Sequence, residues 1–391
     1  MSTISVVTGL LVFALIYLLA TSAVLLRNRF ELTALRFSET DEAQPKISVC
    51  IPARNEEHNI GLLLKSLIQQ EYKNFEVLVL DDHSEDQTAD IVQNFASENP
   101  GFRQLHTGAE KPENWLGKPW ACHQLGQLAS GELLLFLDAD TTLHPQTLTR
   151  ITASFRHDGL DMLTVWPQQR LGTFWEKTVI PLVYYALVTL LPAIYVYRDP
   201  RWMPKYFRKK FRTAFSAACG QCIAFNRDAY DAIGGHSSVK NKIVEDVELA
   251  KMIKKAGFRI RMYHGVGSVM CRMYEKEKEM FNGFRKNFLA GFGYSIPLFL
   301  LAAILHLIVF VLPFIVLPVA WYHIYERLFF LSASSIGIIL MHRLILSVWF
   351  RWDPVYAFTH PIGVLWFQRL GIRSLIDYFS GTKPDWKGRK V

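Results

Sequence analysis

The sequence predicts an α/β protein with a mostly parallel sheet. Along the chain, membrane helices precede and follow the part that forms this sheet. Three short apolar runs in the first half alternate with helical patterns. Fully apolar strands in such an order are typical of a parallel sheet covered by helices. Half of the 391 residues are hydrophobic, and the excess lies in long apolar segments near both ends. Such segments are typical of a protein anchored in a bilayer, since one span needs about 20 apolar residues.

The first apolar segment covers residues 4–26 and is long enough to cross a bilayer. Its positive charges, Arg27 and Arg29, follow the apolar stretch, whereas a cleaved signal peptide carries them before it. We therefore expect an uncleaved N-terminal transmembrane anchor over residues 1–29. Because positive flanks stay on the cytoplasmic side, the chain after the anchor is predicted to be cytoplasmic and the protein to lie in the cell membrane.

The predicted strands cover residues 46–52, 75–80 and 132–137, and polar residues follow each of them. Ligands of parallel α/β sheets bind just beyond the carboxyl ends of the strands. The polar residues are therefore expected to line a ligand site. The sequence lacks the glycine-rich dinucleotide fingerprint and the P-loop motif, which excludes those two phosphate cradles.

Asp138 and Asp140 directly follow the third strand, with one small residue between them. Hard divalent cations prefer carboxylate oxygens, and Mg²⁺ or Mn²⁺ often bridges such groups to a diphosphate. We therefore predict a divalent metal site at Asp138 and Asp140, where the cation would neutralise charge on a departing diphosphate. The alternative is a solvated turn that carries two acids.

Two further acidic pairs each have a chemical and a structural interpretation. Asp81 and Asp82 end the second strand, where a carboxylate can accept hydrogen bonds from a nucleobase or a ribose. The alternative for that pair is a cap of the next helix. Glu245 and Asp246 open a helix, a position that capping and the helix dipole also favour. The functional interpretation of Asp246 is a general base that deprotonates a nucleophile.

Six short motifs follow one another along the chain, at residues 51–56, 81–84, 137–140, 220–222, 234–235 and 245–246. Together they resemble the inverting glycosyltransferases of family 2, which have the GT-A fold. The resemblance covers residues 46–290. It implies a nucleotide-sugar donor, UDP-hexose, and a divalent metal cofactor, Mg²⁺ or Mn²⁺.

The resemblance also assigns roles to individual residues. It implies that Asp246, with Glu245 beside it, is the catalytic base, and that Asp138 and Asp140 hold the metal and the diphosphate. The uridine part of the donor is expected to contact Glu56 and Asp82. The full donor-binding set implied in this way is Pro52, Ala53, Arg54, Glu56, Asp81, Asp82, Lys118, Asp138, Gly220 and Arg285.

The C-terminal half narrows the expected acceptor. Arg285 stands where many processive members carry a QxxRW segment, but the Gln and the Trp are missing. This difference argues against a polysaccharide synthase and favours a single transfer to a lipid. The whole layout, with residues 117–122 and 386–389, resembles bacterial carotenoid glycosyltransferases. That resemblance implies transfer of glucose from UDP-glucose to a hydroxyl or carboxylate of a hydrophobic acceptor.

Two alternatives for the function stay open at this point. One is a lipid glycosyltransferase of the polyprenyl-phosphate or ceramide type. The other is a membrane scaffold that retains a degenerate transferase domain. The acidic residues at all the expected positions speak against the scaffold.

Residues 291–391 are predicted to form a C-terminal membrane region. Spans over residues 296–322 and 328–350 would form a helical hairpin, and residues 355–376 an interfacial helix. His342 and Arg343 fall inside the second span, so we expect them to face a protein cavity or a lipid head group.

Residues 176–212 are predicted to form an interfacial helix, because a span there would place the acidic motifs on opposite sides of the membrane. A basic run from Arg198 to Arg212 follows its apolar part. We expect this run to bind the anionic membrane surface rather than nucleic acid. The five cysteines are scattered, which does not favour a disulfide framework.

Overall fold

The computed structural model describes residues 3–37, 44–99, 105–382, 385–386 and 389–390. The chain forms two compact units. The helical unit contains Met1–Glu31, Leu171–Pro192 and Tyr274–Val391, and the sheet unit contains Leu32–Arg170 and Ala193–Met273. Residues 171–192 and 274–290, which the sequence assigns to the catalytic domain, therefore lie in the helical unit.

The strands follow the apolar runs of the sequence and add several short ones. In chain order they are β1 (Ile47–Ala53), β2 (Phe75–Asp81), β3 (Leu105–Thr107), β4 (Leu133–Leu137), β5 (Thr141–Leu143), β6 (Met162–Trp166), β7 (Gln168–Gln169), β8 (Cys222–Asn226), β9 (Ile260–His264), β10 (Val269–Cys271), β11 (Asp385–Trp386) and β12 (Arg389–Lys390).

The α-helices alternate with the strands in the sheet unit and dominate the rest. In chain order they are α1 (Thr3–Glu31), α2 (Ile60–Ile68), α3 (Thr88–Glu98), α4 (Gly117–Leu128), α5 (Thr147–Asp158), α6 (Phe174–Leu190), α7 (Ile194–Tyr197), α8 (Lys205–Lys210), α9 (Arg227–Ala232), α10 (Glu245–Ala256), α11 (Glu277–Phe288), α12 (Ile296–Phe310), α13 (Leu312–Tyr322), α14 (Glu326–Phe350) and α15 (His360–Ser380).

The main sheet has seven strands in the order β3-β2-β1-β4-β8-β6-β9. β1 pairs in parallel with β2 and β4, β2 with β3, and β6 with β9. Only β8 runs antiparallel to its neighbours, β4 and β6. The predicted mostly parallel α/β sheet is thus confirmed. A second sheet contains three short strands in the order β5-β10-β7, and these follow β4, β9 and β6 along the chain.

The central strands are apolar because helices cover both of their faces. β4 is buried along its whole length, and β1 is buried at all but one position. Helix α2 presents Leu63, Leu64 and Leu67 to the same core. Alternating apolar and polar residues would instead indicate a sheet with one solvated face.

Among the described residues, three helical segments of the helical unit are long and apolar enough to cross a membrane: Thr3–Glu31, Ile296–Tyr322 and Glu326–Phe350. They agree with the three spans expected from the sequence. The middle one is divided at Val311 into α12 and α13. Pro313 lies in the first turn of α13, where its missing N–H costs no helical hydrogen bond, so a new helix can begin there.

Helices α1 and α14 run in the same direction. Near the start of both helices, Leu11 packs with Leu328. Near their ends, the guanidinium of Arg29 lies 5.2 Å from the ring centre of Trp349. The basic flanks Arg29 and Arg351 therefore lie at the same end of the helical unit.

The single interfacial helix expected over residues 176–212 is instead three helices, α6, α7 and α8, separated by irregular chain. Proline disfavours helical conformation in the residue before it, and Pro192, Pro200 and Pro204 fall in the interruptions. Only α6 belongs to the helical unit. There the amide of Asn28 donates to the carbonyl oxygens of Val188 and Leu191, at 2.9 and 2.7 Å.

The helix predicted over residues 355–376 both begins and ends later in the structure, as α15. A 3₁₀ turn, Pro354–Thr359, precedes it. Residues 387–388 of the basic C-terminal motif lie outside the described residues.

Candidate active site

Sheet topology brings most of the sequence-predicted site residues to one edge of the sheet unit. β1 lies between β2 and β4, and all three run in the same direction. Their carboxyl ends therefore meet, and Arg54, Asp82 and Asp138 follow them directly. Because β8 is antiparallel to β4, its first residue pairs with Leu137, and Gly220 just before it reaches the same edge.

The turns after β1 and β2 are bound to each other. The N–H of Asp82 donates to the carbonyl of Ala53 at 2.8 Å. Arg54 Nη1 donates to the carbonyls of Asp82 and His83, at 2.7 Å each, and its Nη2 pairs with Glu85 at 3.3 Å. The structure therefore gives Arg54 a role in fixing the two turns, beside the donor contact predicted for it.

Two carboxylates of this edge are held inside the same turns. One oxygen of Glu56 accepts from the amide of Asn59 at 3.1 Å. Asp81 Oδ2 accepts from the N–H of Ser84 at 3.2 Å. Asp81 Oδ1 is buried and accepts no hydrogen bond from any residue that the structure describes. A buried acceptor without a donor is costly, so a ligand N–H or O–H is expected there.

The ammonium group of Lys118 lies among the acidic residues at the centre of this edge. Lys118, in the first turn of α4, places its Nζ 2.6 Å from Asp138 Oδ1 and 3.4 Å from Glu245 Oε1. The same Nζ donates to the carbonyl of Gly220 at 3.4 Å. Four separate parts of the chain thus meet around one ammonium group.

Asp246 is fixed by backbone donors. Its Oδ2 accepts from the N–H of Gly220 at 2.9 Å, and its Oδ1 accepts from the N–H of Val247 at 2.8 Å. A Cβ at residue 220 would lie 3.1 Å from Lys118 Nζ and 3.4 Å from Asp246 Oδ2. A larger residue at this position would therefore crowd the ammonium group of Lys118.

The surroundings change the protonation of these groups. Burial raises the pKa of Asp246 to about 7; the negative Glu245 adds to the shift, and Lys118 opposes it. Burial alone would lower the pKa of Lys118, but Asp138 and Glu245 outweigh it and raise that pKa above its usual value. The site therefore holds a protonated lysine beside a carboxyl group that titrates near neutral pH.

A small cleft opens next to this cluster. The residues that line it are Pro52, Lys118, Cys122, Phe136, Leu137, Asp138, Gly220, Ile223, Phe225, His236, Glu245 and Leu249. The sequence did not single out His236, although the Gly-Gly turn before it marks a close approach of the backbone. Burial lowers the pKa of His236 to about 3, so it is neutral, and its Nδ1 lies 2.8 Å from the hydroxyl of Tyr230.

Asp138 and Asp140 would supply only some of the oxygen ligands that a divalent cation needs. Over the described ranges, no three His, Cys, Asp or Glu side chains come together in a metal-binding group. Mg²⁺ and Mn²⁺ are commonly held by one or two carboxylates, with substrate phosphates and water completing the shell. The ammonium of Lys118 beside Asp138 shows that positive charge is stabilised at this position. The donor set therefore suits a cation that arrives with a diphosphate.

Arg285 is placed elsewhere than the other predicted donor-binding residues. It lies in α11 of the helical unit, and its guanidinium pairs with Asp377 of α15. The carboxylate of Asp377 therefore already balances the positive charge of Arg285, without a diphosphate. Its proposed contact with the donor stays a prediction.

Comparison with known proteins points to one enzyme class. Residues 48–234 match the model of "Glycosyl transferase family 2", and residues 201–278 match that of "Glycosyl transferase family 21". The chain is 28% identical over 302 residues to the 4,4'-diaponeurosporenoate glycosyltransferase of Staphylococcus haemolyticus. That alignment covers 73% of this chain and 72% of the relative. The enzyme of that name from Staphylococcus aureus strain USA300 is 24% identical over 379 residues, 95% of this chain and 94% of the relative.

A solved structure shows the same fold. The mannosyltransferase PcManGT from Pyrobaculum calidifontis, solved with GDP-Man and Mn²⁺, superposes with a TM-score of 0.55. The alignment covers 96% of this chain and 100% of that one, at 15% identity. This likeness and the sheet topology show the fold, while the family match and the curated relatives indicate the enzyme class. The chain is a glycosyltransferase with the GT-A fold, and it resembles the family 2 glycosyltransferases and, among them, the carotenoid glycosyltransferases.

Proposed function

We propose that this enzyme transfers glucose from UDP-glucose to a carboxylate or hydroxyl of a carotenoid-type acceptor, with inversion at the sugar. The observation that carries the reaction is the cluster in which Lys118 joins Asp138 to Glu245, with Asp246 bound to Gly220 beside it. The relatives named 4,4'-diaponeurosporenoate glycosyltransferase support the acceptor class.

The donor would bind across the carboxyl ends of β1, β2 and β4. Asp81 Oδ1, a buried acceptor with no donor among the described residues, suits the N–H of a uracil ring. Glu56 and Asp82 are proposed to contact the uridine as well, and Pro52 and Ala53 to line its path. The sugar and the diphosphate would then extend toward Asp138 and Lys118.

Asp246 is the proposed base. Its two backbone hydrogen bonds fix the carboxylate, and a pKa near 7 lets it take a proton from an acceptor hydroxyl at neutral pH. An acceptor carboxylate is already ionised and needs no base. With such an acceptor, the protonated form of Asp246 would instead donate a hydrogen bond to the acceptor carboxylate and hold it in line with the departing diphosphate.

Positive charge is needed where the diphosphate leaves. Asp138 and Asp140 would hold a divalent cation there, which when bound stabilises the negative charge of the leaving group. The protonated Lys118 lies 2.6 Å from Asp138 and supplies a second positive charge to the same region.

We further propose that the enzyme is a multi-pass protein of the cell membrane with a cytoplasmic sheet unit. Three apolar helices support membrane insertion, and the positive flanks support the orientation. The chain before and within α8 exposes Arg201, Trp202, Lys205 and Tyr206. Basic and aromatic side chains together favour contact with an anionic membrane surface.

The test is transfer by purified enzyme from labelled UDP-glucose to three acceptors: a carboxylated carotenoid, a hydroxylated carotenoid and a polyprenyl phosphate. We expect a glucosylated carotenoid and no glucosylated polyprenyl phosphate. With the hydroxylated acceptor, Asp246→Asn should lower turnover at least about a hundredfold, the usual scale for losing an acid–base group.

Exposed Asp231 offers a matched control, since Asp231→Asn removes a carboxylate from the surface of the same unit. Product from the polyprenyl phosphate alone would replace the proposed acceptor. Full turnover by Asp246→Asn would remove the proposed base.

A further inference from the structure

The helical unit buries a group of polar side chains that the proposed reaction does not use. His342 and Arg343 lie in α14, Tyr185 in α6 and His360 at the start of α15. All are nine-tenths or more buried, with Arg343 and His360 each only 1% exposed. Polar residues at such depth are costly among apolar helices unless they have a structural or a binding role.

His342 has a structural role. Its Nε2 lies 2.7 Å from Ser22 Oγ of α1, and its Nδ1 lies 2.9 Å from the hydroxyl of Tyr185. Both ring nitrogens therefore have partners, and the imidazole joins three helices.

Arg343 and His360 are different. Arg343 makes one hydrogen bond, from Nη2 to the carbonyl of Tyr356 at 2.9 Å. Its Nε and Nη1 are buried without a partner among the described residues, and so are both ring nitrogens of His360. A guanidinium has five N–H donors, so most of its capacity to bind an acceptor is unused.

The charge of Arg343 also lacks a counter-ion among the described residues. Four other arginines of the helical unit pair with carboxylates: Arg27 with Glu31, Arg285 and Arg373 with Asp377, and Arg369 with Glu277. Across the residues that the structure describes, no carboxylate pairs with Arg343. A buried charge needs a partner, and the free donors indicate that this partner is an anion.

The depth of the group indicates the kind of anion. Arg343 precedes Arg351 by eight residues, or about 12 Å along the helix at 1.5 Å per residue. Ser22 precedes Arg27 by five residues, or about 8 Å on the same scale. The group therefore lies just inside the end of the spans that carries the basic flanks. At that level the polar head of a lipid meets its acyl chain.

We propose that Arg343 and His360 bind the anionic head group of a membrane amphiphile, a carboxylate or a phosphate, between α14 and α15. A carboxylate or phosphate oxygen would accept a charge-assisted hydrogen bond from one of the free donors of the guanidinium, Nε or Nη1. The site requires only an anionic amphiphile and is independent of the reaction proposed above.

The experiment is native mass spectrometry of the purified full chain in detergent, with oleate, phosphatidylglycerol or inorganic phosphate added. We expect one molecule of oleate or of phosphatidylglycerol to bind to the wild type. Arg343→Gln should weaken that binding at least tenfold, and Arg343→Lys should retain more of it. Arg351→Gln is the matched control, because Arg351 is an exposed arginine just past the end of the same helix.

Several outcomes would overturn the proposal. The wild type could bind neither amphiphile, it could bind phosphate alone, or Arg343→Gln and Arg351→Gln could weaken binding equally. The last result would indicate attraction to the basic flank only. His360→Phe, which removes both ring nitrogens at similar size, gives a second measurement if Arg343→Gln does not fold. Unchanged binding in His360→Phe together with Arg343→Gln would also contradict the site.

Discussion

Asp246 is surrounded by groups that act on its charge in opposite directions. Burial and the carboxylate of Glu245 raise its pKa to about 7, while Lys118 lowers it. A base acts in its ionised form, and that form becomes dominant as the pH rises through the pKa. The rate of a base-catalysed transfer should therefore follow the ionisation of this one group.

With a hydroxylated acceptor, we expect kcat/KM to rise as the pH increases through about 7 and then to level off. With a carboxylated acceptor, the rise should be absent, because the acceptor is ionised at every pH of the assay. A pH profile measured with each acceptor checks both expectations. Identical profiles would contradict the role of Asp246 as a base.

Glu245→Gln should move this rise to lower pH, because it removes the negative charge that helps to raise the pKa of Asp246. Glu248→Gln is the matched control, one turn along the same helix, where Glu248 pairs with Lys251 at 2.7 Å. An equal shift in both variants would indicate a general charge effect rather than contact with Asp246.

Asp140→Asn should weaken divalent metal binding and lower turnover at least about a hundredfold, since one of the two proposed carboxylate ligands is lost. Titration with Mn²⁺ in the presence of UDP, followed by electron paramagnetic resonance, measures the binding separately from the rate. Asp231→Asn should bind the metal as the wild type does. Full activity of the enzyme in excess chelator would rule out the cation.

Sequence reasoning could place the acidic residues at one edge but not describe their contacts. Asp82 and Asp138 follow parallel strands, and parallel strands end together, so their proximity was predictable. The contact of Lys118 with Asp138 and Glu245 depends on how α4 and α10 pack on the sheet. Side-chain contacts between distant segments leave no periodic signal in the chain.

At the scale of single helices, α6 and α15 pack closely at Gly363. A Cβ on this residue would lie 2.5 Å from Leu182 Cδ1 and 3.0 Å from the carbonyl oxygen of Thr178. The carbonyl belongs to the helix backbone and cannot move away easily. Gly363 therefore sets the distance between the two helices.

Gly363→Ala should lower the thermal midpoint of the purified protein, because the added methyl group forces α6 and α15 apart. Gly337→Ala is the matched control, since Gly337 lies in α14 with no atom within 4 Å of an added Cβ. Alanine there should leave the midpoint unchanged or raise it, as alanine favours helix by about 1 kcal/mol over glycine. A thermal shift assay in detergent compares the two variants.

The elements that the sequence predicted best are the long apolar ones. The ends of α1 and α14 lie close to the predicted spans, because length and apolarity define a span. The prediction of one continuous helix over residues 176–212 was wrong, because prolines interrupt the helix although its first part is apolar. The short strands β5, β7 and β10 were missed, because two or three residues show no alternation.

At the scale of the whole molecule, the predicted topology places the loop between α13 and α14 outside the cell and the sheet unit inside. The common direction of α1 and α14 supports it, because both basic flanks then lie at one end.

Cysteines added one at a time test this topology, with the unmodified chain, in which four of the five native cysteines are buried, as the control. We expect His323→Cys, in the loop between α13 and α14, to react with a membrane-impermeant thiol reagent on intact cells. Ser237→Cys, an exposed position of the sheet unit, should react only after the cells are opened. Reaction of Ser237→Cys on intact cells would reverse the predicted orientation.

The two units are interleaved along the chain. The sheet unit is interrupted by Leu171–Pro192, and the helical unit is completed only after Tyr274. During synthesis, α6 therefore emerges before α11 to α15, the later helices of its own unit. A single truncation of the gene therefore cannot separate the two units. To produce the sheet unit alone, a designed linker would have to replace Leu171–Pro192, the segment that contains α6.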